Sequence, residues 1–309
     1  MSSEIPPPPA NEPPPEPAKG LPTVTAPSGR HIVQLFLIPG LIVAGAVSIL
    51  LGFSWLAGGS RSPEQLLKNI DSANPDIRWR AANDLAQVLK RDDALAADVG
   101  FAQKISDRLA RAAEELERAE KHFADISDAD ARGRAEARKA LVGQRNYVQY
   151  LEACLGNFSV PVGAPLLNDL AMKGRGSDEK LRYLVRRHAV WALANLGEGQ
   201  KRFAKLSAEQ KAEVRRRLEG EAAGSGESAA WAAAGLDWLD GKPIGVVAAL
   251  AECGKDQRDI FLREQAAHAL NFWEGATPAE RKLAEDTLLV LSRDVGAGSN
   301  NRIEIKEDE

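Results

Sequence analysis

The residues able to do chemistry are few and scattered. Cys154 and Cys253 lie far apart and form no close-spaced ligand motif. His31, His122, His188 and His268 also lack metal-site spacing. No phosphate-cradling G-x-x-x-x-G-K loop, dinucleotide fingerprint, G-x-S-x-G elbow or H-E-x-x-H pair occurs in the chain. Gly174-Arg175-Gly176-Ser177 reads as a turn between helices. Carboxylates sit among Lys and Arg, as on solvated helix faces. The expectation is a chain without catalysis, cofactor or metal. An enzyme would need polar groups converging around Cys154, His188 or His268.

Composition narrows the partner. The formal charge is -4, which gives no field for nucleic acid. Aromatic content is 6% and alanine is abundant, which favours helix over sheet.

Segments 1–31 and 32–57 differ sharply. The first is dominated by proline, with runs at Pro6–Pro9 and Pro13–Pro15, and is expected to be an extended, disordered spacer. The second carries no charge. As a helix it would span roughly 39 Å, enough to cross a hydrocarbon core of about 30 Å. Pro39-Gly40 offers a kink, and Trp55 stands where an interfacial aromatic would. The expectation is a single-pass membrane anchor. Lys19 and Arg30 precede it; Arg61, Lys68, Arg78 and Arg80 follow. That count, with the unpaired cysteines, favours a cytoplasmic C-terminal domain.

Residues 62–296 read as successive helices. Ser62-Pro63-Glu64-Gln65, Ser207-Ala208-Glu209-Gln210 and Thr277-Pro278-Ala279-Glu280 are capping boxes. Gly156, Gly197 and Gly275 stand at expected helix ends. Between Phe101 and Ile126, apolar residues at 105, 109, 112, 116, 119, 123 and 126 alternate by four and three. This predicts a charged helical hairpin insertion over 101–142, its seam packed on its own second helix or on a second copy. Residues 297–309 read as an acidic disordered tail.

One local pattern recurs. It appears as Trp79–Leu85, Arg187–Leu193 and Glu264–Leu270, and more weakly as Tyr150–Leu155 and Ala229–Ala234. The final residues Leu85, Leu155, Leu193, Ala234 and Leu270 are separated by 70, 38, 41 and 36. The last three intervals fit a two-helix repeat of about 40 residues. A hairpin of this kind cannot bury its apolar face alone, so stacking makes the core. Trp79, Trp191, Trp231 and Trp273 are expected in that core.

The strings Asp76-Ile77-Arg78, Val185-Arg186-Arg187-His188-Ala189 and Leu262-Arg263-Glu264-Gln265-Ala266 resemble the second helix of HEAT repeats. The resemblance implies an all-α fold: an α-solenoid over 62–100 and 143–296. It also implies a ladder of aspartates (Asp76, Asp259) and arginines (Arg78, Arg186, Arg263), interrupted at 229–234 where the arginine is missing. Arg78, Arg187 and Arg263 are placed by it near the concave face. Arg78, Arg186, Arg187 and Arg263 are therefore candidates for partner binding or for structural bonding between hairpins. The functional expectation is a membrane-anchored scaffold for a protein partner, with a structural subunit or a lyase-type enzyme as alternatives.

Overall fold

A computed structural model describes residues 37–50, 63–273 and 277–294. The chain divides into two compact units, 1–60 and 61–309.

In the first unit, residues 37–50 are helical (α1) and expose apolar side chains, among them Leu37, Ile42 and Leu50. They are the described part of the expected span 32–57. No described helix is long and apolar enough to cross a membrane. The proline-rich segment, both ends of the expected span and the acidic tail lie outside the described residues.

The described part of the second unit is all-α, with no strand among the described residues. Its helices are α2 (Pro63–Ile70), α3 (Pro75–Leu89), α4 (Asp93–Ala96), α5 (Val99–Asp125), α6 (Ala131–Gly156) and α7 (Ala164–Lys173). They continue as α8 (Glu179–Ala204), α9 (Ala208–Ala222), α10 (Glu227–Leu239), α11 (Val246–Gly254), α12 (Ile260–Leu270) and α13 (Pro278–Asp294).

Local chemistry starts these helices where the sequence indicates. Ser207 and Gln210 form the reciprocal capping box of α9. Thr277 accepts a bond from the Glu280 N–H at the start of α13. Asn74, Asp92, Asp98, Asp130, Asp178 and Asp259 cap α3, α4, α5, α6, α8 and α12 through their side chains. Each supplies an acceptor to an N–H that has no intrahelical partner.

The glycines correct an expectation. Gly156 is the last residue of α6, but Gly197 lies inside α8, which runs on to Ala204. Gly275 lies outside the described residues. A Cβ on Gly156 would sit 2.7 Å from the Ala192 carbonyl oxygen of α8. One on Gly197 would sit 2.7 Å from Trp273 Nε1. Both are points of close approach between elements.

Packing orders the helices. The helix α3 contacts α6, α6 contacts α8, and α8 contacts α12. Each of the last three also packs on its predecessor, as α5–α6, α7–α8 and α11–α12; α11 touches α7 and α13. The marker residues Leu85, Leu155, Leu193 and Leu270 fall on the row α3, α6, α8, α12, and all are buried. Ala234 does not belong to it. It is half-buried on α10, which packs on α9 and touches α5 and α7.

The charged hairpin is α5 with α6. Ile105, Leu109, Ala112 and Leu116 of its seam are fully buried against the chain's own helices, whereas Phe123 and Ile126 are half-buried. Because α6 runs unbroken to Gly156, the boundary expected at 142 falls inside it. The turn expected at 174–177 is held by Glu120 of α5. Its buried carboxylate accepts bonds from Ser177 N–H and Ser177 Oγ, both 2.9 Å, and from Asp178 N–H. Gly176 permits this at φ 95°, since a Cβ there would meet Glu120 Oε2.

Candidate partner-binding groove

The expected arginines are engaged within the chain. Arg187, on α8, donates from Nε and Nη2 to Asp259 at 2.6 and 2.7 Å, a planar two-point pair. Asp259 is 1% exposed and also caps α12 through Leu262 N–H. Arg186 instead donates to Asp256 and to the Ala171 carbonyl. Burial would raise the Asp256 carboxyl, but bonds from Arg186, Arg258 N–H and Tyr183 hold it below the usual range. Arg78 donates to Gln144 Oε1, lies 3.5 Å from Glu115, and stacks 4.5 Å over the Tyr147 ring. Tyr147 is pushed up to about 12 by burial, an effect Arg78 partly opposes. Arg263 is buried on α12. Asp76 faces Lys139 at 3.9 Å. The aspartate–arginine link of adjacent pairs therefore runs through Arg187, with Arg186 bonded to the turn before α12.

The nucleophile candidates do not converge. Cys154 and Cys253 are buried thiols donating to the carbonyls of Ala82 and Ala171. Burial raises both, Cys253 to about 11, so neither is a ready thiolate. His268 is exposed and meets Phe272 edge-on. No group of three His, Cys, Asp or Glu among the described residues could hold a metal ion.

The row α3, α6, α8, α12 instead carries an open groove of about 320 Å³. From α3 come Asn83 and Gln87, with Lys90 just past its end; from α6 come Gln149 and Tyr150, with Asn157 just past its end. From α8 come Arg187, His188 and Trp191, and from α12 Gln265. Helical spacing explains the alignment: Asn83 and Gln87, Ala153 and Asn157, and Arg187 and Trp191 are each four apart, hence on one face. Trp231 and Trp273 are core residues, as expected, and Trp79 stacks on Tyr150. Trp191 is the exception. It is 38% exposed, with Lys90 Nζ 5.9 Å from its ring centroid.

Of the candidate arginines, Arg187 alone lines this groove, already neutralised by Asp259. Sequence reasoning missed the amides. Their only signal was Asn83 and Gln87 one turn apart on α3, which looks like ordinary solvated surface.

No family model matches the chain, and no curated protein or solved structure matches it.

Proposed function

We propose that the protein is a membrane-anchored scaffold of HEAT-like helical pairs. It binds a protein partner in the groove across α3, α6, α8 and α12, without covalent chemistry. The uncharged 32–57 segment is the anchor, and the positive residues after it favour a cytoplasmic position for the helical unit. Tethering confines the groove to two dimensions and raises its effective concentration for membrane partners.

The observation that carries this reading is the groove itself. It touches the four helices of the row, holds an exposed Trp191, and is open and lined by both polar and apolar side chains. Aromatic residues of that kind anchor protein interfaces. The resemblance of the repeat strings to HEAT helices supports the stacked architecture, as does the α3–α6–α8–α12 order.

The test is affinity capture of the full-length protein from gently solubilised native membranes. A chain of residues 1–61 and a Trp191→Ala, Lys90→Glu variant serve as comparisons. Partners held by the full chain and lost from both comparisons support the groove. Partners held equally by residues 1–61 place the interaction in the membrane and overturn the scaffold reading. Partners unaffected by the variant remove the groove from it.

A further inference from the structure

We infer that α13 is a self-association face, on which the α13 of a second copy of this chain packs antiparallel. This is independent of the groove and of what fills it. The helix has two faces. Ala284, Thr287 and Leu291 are buried, and α13 packs on α11 and α12. A Cβ on Gly254 of α11 would sit 3.1 Å from Leu291 Cδ1 and 3.2 Å from Thr287 Cγ2, so that face is closed against the chain itself. Asp286, Leu289, Val290 and Arg293 are exposed. They follow one another at steps of three, one and three, which places them on a single helical face. Leu289 is 52% and Val290 57% exposed. Among the described residues of the second unit, they are the only large exposed apolar side chains adjacent in sequence.

The order of charges along that face names the occupant. It runs acid, apolar, apolar, base. A twofold axis beside the Leu289–Val290 step reverses the helix. Leu289 then meets its own counterpart, Val290 meets its own, and each Asp286 meets the other copy's Arg293. The face is complementary to itself, as the contact in a twofold dimer must be. A parallel pairing would instead set Asp286 on Asp286 and Arg293 on Arg293, and like charges held together are unfavourable. The antiparallel pair also has the anatomy of a protein interface, an apolar centre within a charged rim. Its area is small: one helix face falls well short of the roughly 800 Å² per copy that a standard stable complex buries. The contact is therefore weak and reversible, and covalent capture is the way to read it.

The experiment puts one thiol beside the axis. Cys154 and Cys253 are buried, so Val290→Cys in the full-length protein supplies the accessible thiol. The protein is held in detergent micelles and oxidised, and the rate of disulfide-linked dimer formation is measured. Arg132→Cys, at a side chain 91% exposed on α6, reports chance collision and shared micelles. In the Val290→Cys background, Asp286→Arg sets arginine against arginine, and Arg293→Asp sets aspartate against aspartate. The two together restore opposite charges in reversed order. All these side chains are exposed, and unchanged melting temperatures verify the fold. The expected result is a rate about tenfold or more above that of Arg132→Cys, a loss of about tenfold with either charge change, and recovery to within about threefold with both. A rate no faster than that of Arg132→Cys overturns the inference, and is the outcome if lipid, another protein or the rest of the chain covers this face. So does a fast rate that ignores both single charge changes, or a loss that the double change does not repair.

Discussion

The row α3–α6–α8–α12 and the pair α9–α10 look alike in sequence and differ in kind. Both carry alanine-rich helical strings at intervals near 40 residues. Within the row, neighbours are tied by buried polar links: Cys154 to the Ala82 carbonyl, Asn157 to the Ala86 carbonyl, Arg187 to Asp259, and Trp273 to the Leu193 carbonyl. The α9–α10 pair is tied to α5 by Gln103 and Asp107 contacting Ser228, and its Arg215–Asp240 bond lies at the surface. Membership of the row is thus a matter of what crosses between helices. Local resemblance does not decide it.

The comparison breaks first at the ion pairs. Asp259→Ala leaves Arg187 nearly buried without its partner and strips the cap from α12, at a cost of about 3–5 kcal/mol. Asp240→Ala removes only exposed pairs, to Arg215 and Lys242, on the α9–α10 side and should change stability far less. Urea unfolding of the micelle-solubilised chain measures both; equal losses would erase the distinction.

Glycine sharpens it. Gly156→Ala drives a Cβ into the Ala192 backbone and destabilises by about 1–3 kcal/mol.

Glu152 gives the row a pH dependence. It is fully buried on α6, and neither carboxyl oxygen has a hydrogen-bond partner among the described residues. Burial raises it well above the ordinary carboxylate range, so the folded chain keeps the proton that the unfolded chain releases near 4.5. Its stabilising contribution is complete below that value and is lost as pH rises through the folded-state value. Melting temperatures across that window should fall for the native chain relative to Glu152→Gln. Parallel curves for the two would rule out a titrating Glu152.

The smallest effect has the opposite sign. Gly220→Ala, on α9, meets nothing within 4 Å and should stabilise by about 0.5–1 kcal/mol, seen as a higher melting temperature.

Much of this was legible in the residues. The capping signals of α9 and α13 and the four markers Leu85, Leu155, Leu193 and Leu270 were read from local rules that tertiary context did not override. The α5 seam was legible as far as Leu116. Beyond it Phe123 and Ile126 stay half-buried, because the facing start of α6 is largely exposed and charged. The placement of Ala229–Ala234 was not legible, since an alanine string carries no mark of which neighbour it will meet. Gly197 was misleading for a related reason. A glycine that ends a helix and one that admits a tryptophan from elsewhere are identical until the second element is known. The groove was hidden because Asn83, Gln87 and Gln149 read as helix surface until α3 and α6 are known to lie side by side.

The insertion of α9–α10 also sets a timetable. Arg187 and Asp259 are neighbours in space but stand 72 residues apart in the chain. Doubling a connection of this kind costs only about 0.6 kcal/mol of closure entropy, so the finished molecule hardly registers it. The ribosome does: at about 5–20 residues per second, α8 waits on the order of 4–14 s for its partner to be made. During that interval the flank of α8 that will receive α12 is open, and the nascent chain is most exposed to mispairing there.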